Sequence, residues 1–197
     1  MISQKALDLI VDAEGCNLAP DFPGGASGVT YGYGYDLGYN SKDQITKDWS
    51  SHVNGNVLAF MLSASGKTGV DAQKMITSAT KILRITQEAA EDVFRDSTIP
   101  RFQKLALSTY PNLENLPEDV QGAITSLVFN RGASFGVEGQ PSWDSRREMR
   151  QLKPLIENGD LKGIADTIRS MSRLWVGKGL DGLISRRNNE ANLIDQA

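Results

Sequence analysis

The chain has 197 residues, with 21 Lys and Arg against 24 Asp and Glu, for a net charge of −3. That length can bury a sizeable core in one domain or two tightly joined lobes, and the acidic balance argues against a nucleic-acid binder, which needs a basic footprint. One cysteine, Cys16, excludes an intramolecular disulfide, and with His52 as the one histidine the usual ligand set of a metal site is missing. A Cys16/His52 nucleophilic pair is the remaining arithmetic option. No apolar run reaches the length of a membrane span and no secretory signal opens the chain, so the sequence reads as made in the cytoplasm.

The first predicted helix is SQKALDLIVDAE. Leu7, Ile10 and Val11 fall at helical spacing, Ser3 suits the N-cap and Gly15 the C-terminal stop. Glu14 stands three, four and seven positions beyond Val11, Ile10 and Leu7, so its carboxylate ends the buried stripe. A carboxylate so placed meets the negative end of the macrodipole and partial burial. Both favour the protonated form that a general acid needs.

APDFPGG reads as an exposed loop in which Pro20 and Pro23 flank a turn aspartate, Asp21. In GVTYGYGYD, Val29, Tyr31, Tyr33 and Tyr35 alternate with Thr30, Gly32, Gly34 and Asp36. The glycines predict a tight hairpin centred on Tyr33, pairing 32 with 34, 31 with 35 and 30 with 36. Thr30 and Asp36 then face each other. A helix-end glutamate beside such a pair is a constellation of the kind glycosidases use. The tyrosines point the other way and brace the hairpin, with Tyr35 also a candidate for stacking on a sugar.

Helical patterns follow. Ser41 or Thr46 caps a segment interrupted by Gly55, with Trp49, Val53, Val57, Phe60 and Met61 on its core face. GKTG at 66–69 lacks the first glycine and the preceding strand of a phosphate loop and is set aside. Residues 70–83 predict a short helix. Thr86 opens a longer one through Val93 and Phe94, which Pro100 breaks or kinks before it resumes towards Pro111. Pro117 starts a helix whose buried stripe is Val120, Ile124, Leu127 and Val128. Two more helices flank Asn158-Gly159, and GLDGLISRRNNEANLI closes the chain.

Three of these stretches resemble phage-type lysozymes. Glu14 followed by Thr30-Tyr-Gly-Tyr-Gly is similar to their Glu…Thr-Ile-Gly-x-Gly signature. QGAITSLVFNRG resembles their A-L-x-S-x-x-F-N-x-G helix, and Gly182 to Glu190 matches G-L-x-x-R-R-x-x-E. The six-residue step from Thr30 to Asp36 looks more like the pesticin-like muramidase domains of bacterial toxins. T-even enzymes carry their aspartate between the glutamate and the threonine, where Asp21 stands here with six residues between it and Glu14 against eight in that arrangement, and a histidine where this chain has Tyr35. Residues 40–115 match in general helical character alone.

The resemblance implies an α+β, mainly α, lysozyme-like fold. A β-hairpin active-site lobe would cover about 1–85, a connecting helix about 86–110 and a larger helical lobe about 111–197. It implies a monomeric muramidase that hydrolyses the β-1,4 bond between N-acetylmuramic acid and N-acetylglucosamine without cofactor or metal. Glu14 is then the general acid, Asp36 (preferred over the alternative Asp21) the second carboxylate, and Thr30 places the water. A base acting on water implies inversion, with the carboxyls roughly 6.5–9.5 Å apart. By the same match Asn130 and Arg131 contact the sugar, or else they merely end a helix at Gly132; both readings stay open. Arg186, Arg187 and Glu190 read as ties between helices.

The implied partner is the peptidoglycan strand, reached in the periplasm or cell wall through a holin, a secretion apparatus or a larger parent chain. The Thr30–Asp36 order and the acidic charge lean towards a delivered antibacterial toxin, with its immunity protein, over a phage endolysin. A lytic transglycosylase and a non-catalytic glycan- or partner-binding module are the alternatives.

Overall fold

A computed structural model of the chain describes residues 2–197 and is α+β, mainly α, with one three-stranded antiparallel sheet. It has two units: residues 14–99, which hold the sheet, and residues 100–197 together with residues 2–13. Among the described residues no helix is long and apolar enough to cross a membrane.

The first helix, α1 (Gln4–Glu14), begins where Ser3 Oγ accepts from the Ala6 amide at 3.2 Å. It stops before Gly15, whose φ of +61° suits the stop read from the sequence. The sheet follows as β1 (Asn17–Asp21), β2 (Thr30–Gly32) and β3 (Tyr35–Asp36), in that spatial order. The hairpin has the expected register, Thr30 opposite Asp36 and Tyr31 opposite Tyr35, turning through Gly32 and Gly34 at φ +55° and +72°. Strand β1 replaces part of the loop expected around APDFPGG. It is an edge strand, where Pro20 removes no bond the sheet needs.

Helices α2 (Lys42–Trp49), α3 (Gly55–Ala64), α4 (Gly69–Gln73) and α5 (Gln87–Val93) complete this unit. Ser41 caps α2, accepting from the Gln44 amide. Trp49 packs on Tyr31 and Tyr35 at centroid distances of 6.4 and 5.4 Å, so the hairpin's aromatic face is the core of the unit. The helix expected over 70–83 is shorter: α4 ends at Gln73 and the chain turns. Thr80 Oγ1 donates to the Met75 carbonyl at 2.8 Å and accepts from the Thr77 amide at 2.8 Å. Such hydroxyls offer the backbone an alternative to helix.

Helix α5 runs through a π turn at Phe94–Thr98 into α6 (Ile99–Thr109). The Ile99 amide closes that turn on the Phe94 carbonyl, and Pro100, next in line, has no amide to give. The irregularity foreseen at Pro100 is thus a widened turn. The helical unit continues with α7 (Glu118–Arg131), α8 (Pro141–Ser145), α9 (Arg147–Glu157), α10 (Leu161–Ser170) and α11 (Asp181–Asp195).

Helix α7 carries more than a buried stripe: every residue from Val120 to Val128 is buried. Its polar members are satisfied within the unit. Ser126 Oγ donates to Glu190 Oε1 at 2.6 Å, and that oxygen also accepts from Arg187 at 2.7 Å. Arg186 donates to Ser126 Oγ and to the Ser126 carbonyl at 3.1 and 3.2 Å. Arg186, Arg187 and Glu190 therefore tie α11 to α7, the structural role read for them from the sequence.

Gly122 is where α1 and α7 touch most closely. A Cβ added there would lie 2.1 Å from the Ala6 Cβ. Gly122→Ala should therefore force the two helices apart and lower the unfolding free energy by about 1–3 kcal/mol. Urea denaturation of the variant against the parent checks it.

Candidate active site

Glu14, Asp21, Thr30 and Asp36 all belong to the unit that holds the sheet. Glu14 is the last residue of α1 and is half-buried, and three residues later the chain enters β1. That strand carries it to Asp21, which is exposed and pairs with Thr30 on β2. Thr30 is 5% exposed, and its hydroxyl points back at β1, donating to the Asp21 carbonyl over 3.4 Å. Thr30 thus has a strand neighbour on each side, Asp21 on β1 and Asp36 on β3.

The two aspartates are held very differently. The Asp36 carboxylate accepts from the Gly28 amide at 2.9 Å through Oδ2 and from the Gly38 amide at 2.8 Å through Oδ1. It caps the short 3₁₀ turn Leu37–Tyr39, and its own carbonyl accepts from Asn40 Nδ2 at 2.7 Å. Two backbone amides thus converge on one carboxylate, a strong arrangement for an anion. Asp21 has no comparable clasp, and it lines a surface hollow. Sequence reasoning discounted Asp21 because of its flanking prolines. The signal that would have placed it was Leu18-Ala19-Pro20, buried or half-buried and tolerable on an edge strand.

The remaining candidates have clear surroundings. Tyr35 is 4% exposed, donates its hydroxyl to Asp48 at 2.7 Å and stands edge-on to Trp49. With its ring in the core it braces the hairpin and offers no face to a sugar. Tyr33 accepts from Gln87 at 2.6 Å and packs on Phe94. Asn130 and Arg131 lie at the end of α7 in the helical unit, where the helix closes with the Gly132 amide on the Val128 carbonyl. Asn130 is exposed. Arg131 lies over the Trp175 ring at 5.1 Å and donates to the Ser145 carbonyl. Burial, then neighbouring Arg146 and Arg187, pull its pKa down to about 10.

Cys16 and His52 do not make a nucleophilic pair. Burial pushes the Cys16 thiol up, away from the thiolate a nucleophile needs, and its hydrogen-bond partner is Tyr33. His52 faces Asp92 at 3.8 Å. Among the described residues no three His, Cys, Asp or Glu side chains gather as a metal site would require.

Comparison with known proteins agrees with this architecture. A family described as a domain of unknown function, DUF8812, matches residues 17–105, from the start of β1 into α6. No curated protein matches the sequence. Among solved structures, the crystal structure of the active form of the P1 phage endolysin Lyz is similar, with a TM-score of 0.57 and 18% sequence identity. The match covers 99% of this chain and 85% of that one. The fold is lysozyme-like.

Asp36 thus holds the hairpin, and Asp36→Ala should leave the Gly28 and Gly38 amides without their acceptor. The expected cost is about 1–3 kcal/mol of stability. Asp21→Ala, at an exposed strand end, should unfold with the parent. Thermal denaturation of the two variants side by side checks the contrast.

Proposed function

We propose that the chain is a peptidoglycan muramidase, a glycoside hydrolase that cuts the β-1,4 bond between N-acetylmuramic acid and N-acetylglucosamine. Glu14 is the general acid that protonates the leaving oxygen, and Asp21 is the second carboxylate. The observation that carries this reading is the sheet itself. It sets an exposed aspartate across from a buried threonine, on the strand that a helix-end glutamate leads into. The likeness in fold to a phage endolysin supports it.

Asp36, which the spacing to Thr30 favours, is the competitor. Its carboxylate is already engaged by two amides, however, and a base that must take a proton from water needs an oxygen free to receive it. Asp21 takes this role more readily. It activates a water that attacks the far face of the sugar while Glu14 donates, which gives inversion. Thr30 helps to fix that water beside β1. With Asp36 explained as a fold residue, the aspartate lies between glutamate and threonine, as in the T-even enzymes. The reading therefore favours an endolysin over a delivered toxin.

Three variants test the assignment on purified sacculi. Glu14→Gln should fold like the parent and lose on the order of 10²-fold or more in hydrolysis. Asp21→Asn should be similarly inactive yet fully stable, whereas Asp36→Asn should lose stability and keep measurable turnover at low temperature. An active Asp21→Asn beside a folded but dead Asp36→Asn would return the role to Asp36. A Glu14→Gln variant with near-parental lysis would remove Glu14 as the acid.

A further inference from the structure

The hollow that Asp21 lines has a volume of about 360 Å³. It is lined by β1, by Cys16 just before it, and by Lys81 and Arg84. Lys81 comes from the stretch expected to be helical, which is instead a series of turns, and Arg84 follows just beyond it. That stretch is fixed to the sheet. The Ile85 amide donates to the Leu18 carbonyl on β1 at 2.9 Å, and the Tyr31 hydroxyl of β2 donates to the Leu83 carbonyl at 2.7 Å. The Thr77 and Thr80 hydroxyls lock the turn that precedes Lys81. The backbone that bears the two cations is therefore tied to the strand that bears Asp21.

Both side chains are exposed, and among the described residues neither has a carboxylate partner within ion-pair distance. Two cations lining one hollow, in a protein of net charge −3, need an explanation that solvation of a single surface lysine would not. A neutral sugar chain offers them nothing beyond hydroxyl and amide oxygens. An anion offers each a charge-assisted hydrogen bond, and a carboxylate fits the guanidinium fork of Arg84 side by side.

We propose that Lys81 and Arg84 form an anion subsite beside Asp21, one that takes a carboxylate of the peptide carried by a bound muramyl residue. The subsite rests on the muramidase reading and deepens it. It selects peptide-bearing glycan over chitin-like glycan of the same backbone, and it orients the muramyl ring against β1. Its contribution is electrostatic, so it weakens with ionic strength.

The test separates binding from cutting by using the full chain with Glu14→Gln, which holds substrate without hydrolysing it. Calorimetry compares two probes: a muramyl tetrasaccharide with free stem-peptide carboxylates, and the same compound with those carboxylates amidated. The free acid should bind about tenfold tighter than the amide at low salt. Adding Lys81→Gln and Arg84→Gln should bring the free acid down to the amide's affinity and leave the amide unchanged, with the melting temperature unmoved. Equal binding of the two probes, or a preference that survives both substitutions, overturns the subsite while leaving the muramidase reading in place. Failure of both probes to bind at all overturns both readings.

Discussion

The site depends on one carboxylate that does no chemistry in this scheme. Asp36 joins the chain entering β2 to the chain leaving β3, because Gly28 and Gly38 donate to it from opposite sides of the hairpin. The fit is close enough to dictate residue type. A Cβ on Gly28 would lie 2.2 Å from Asp36 Oδ1, and one on Gly38 would lie 2.9 Å from the Gly28 Cα. With both flanks clasped, the short β2–β3 pairing cannot slip by a residue, a shift that would turn Tyr31 and Tyr35 out of the core. Thr30 is then fixed on β2, and the antiparallel pairing of β1 sets Asp21 across from it. Catalysis rewards such fixed geometry.

The helical unit meets a different constraint, a central helix buried on all sides although its sequence includes Gln121, Thr125 and Ser126. Each of these polar groups is paired. Gln121 Nε2 donates to the Leu116 carbonyl at 2.9 Å, Thr125 donates one turn back to the Gln121 carbonyl, and Ser126 reaches Glu190. Glu148, 1% exposed, is gripped by Arg173 at 2.6 Å and Arg147 at 3.0 Å. Burial opposes its ionisation, but the two guanidiniums win and hold its carboxyl below the usual carboxylate range. Such a pair is costly to break one partner at a time, so it holds α9 to the turn at Met171–Leu174 that carries Arg173.

The sequence revealed most where local chemistry decides structure. Ser3, Gly15, Ser41 and Thr86 cap or stop helices as their types demand, and the Gly-Tyr alternation fixed the hairpin's turn and register. It revealed less where tertiary packing decides. Residues 70–83 have helical composition, yet the Thr77–Thr80 turn and the anchorage of Ile85 on β1 win. Strand β1 was hidden because two prolines read as loop, and edge position, which makes Pro20 harmless, is a property of the sheet and not of the segment. The same gap hid the surroundings of Asp36. Spacing showed which residue faces Thr30 across the hairpin, but not that two glycine amides would occupy it.

The most direct measurement is the chemistry of the cut. Purified sacculi digested by the chain and resolved by mass spectrometry should release muropeptides with reducing muramic acid ends, each scission adding one water. Anhydro-muramic ends, one water lighter, would contradict hydrolysis by an acid with a water-activating partner. Glycan strands left whole, with the protein bound to them, would contradict catalysis altogether.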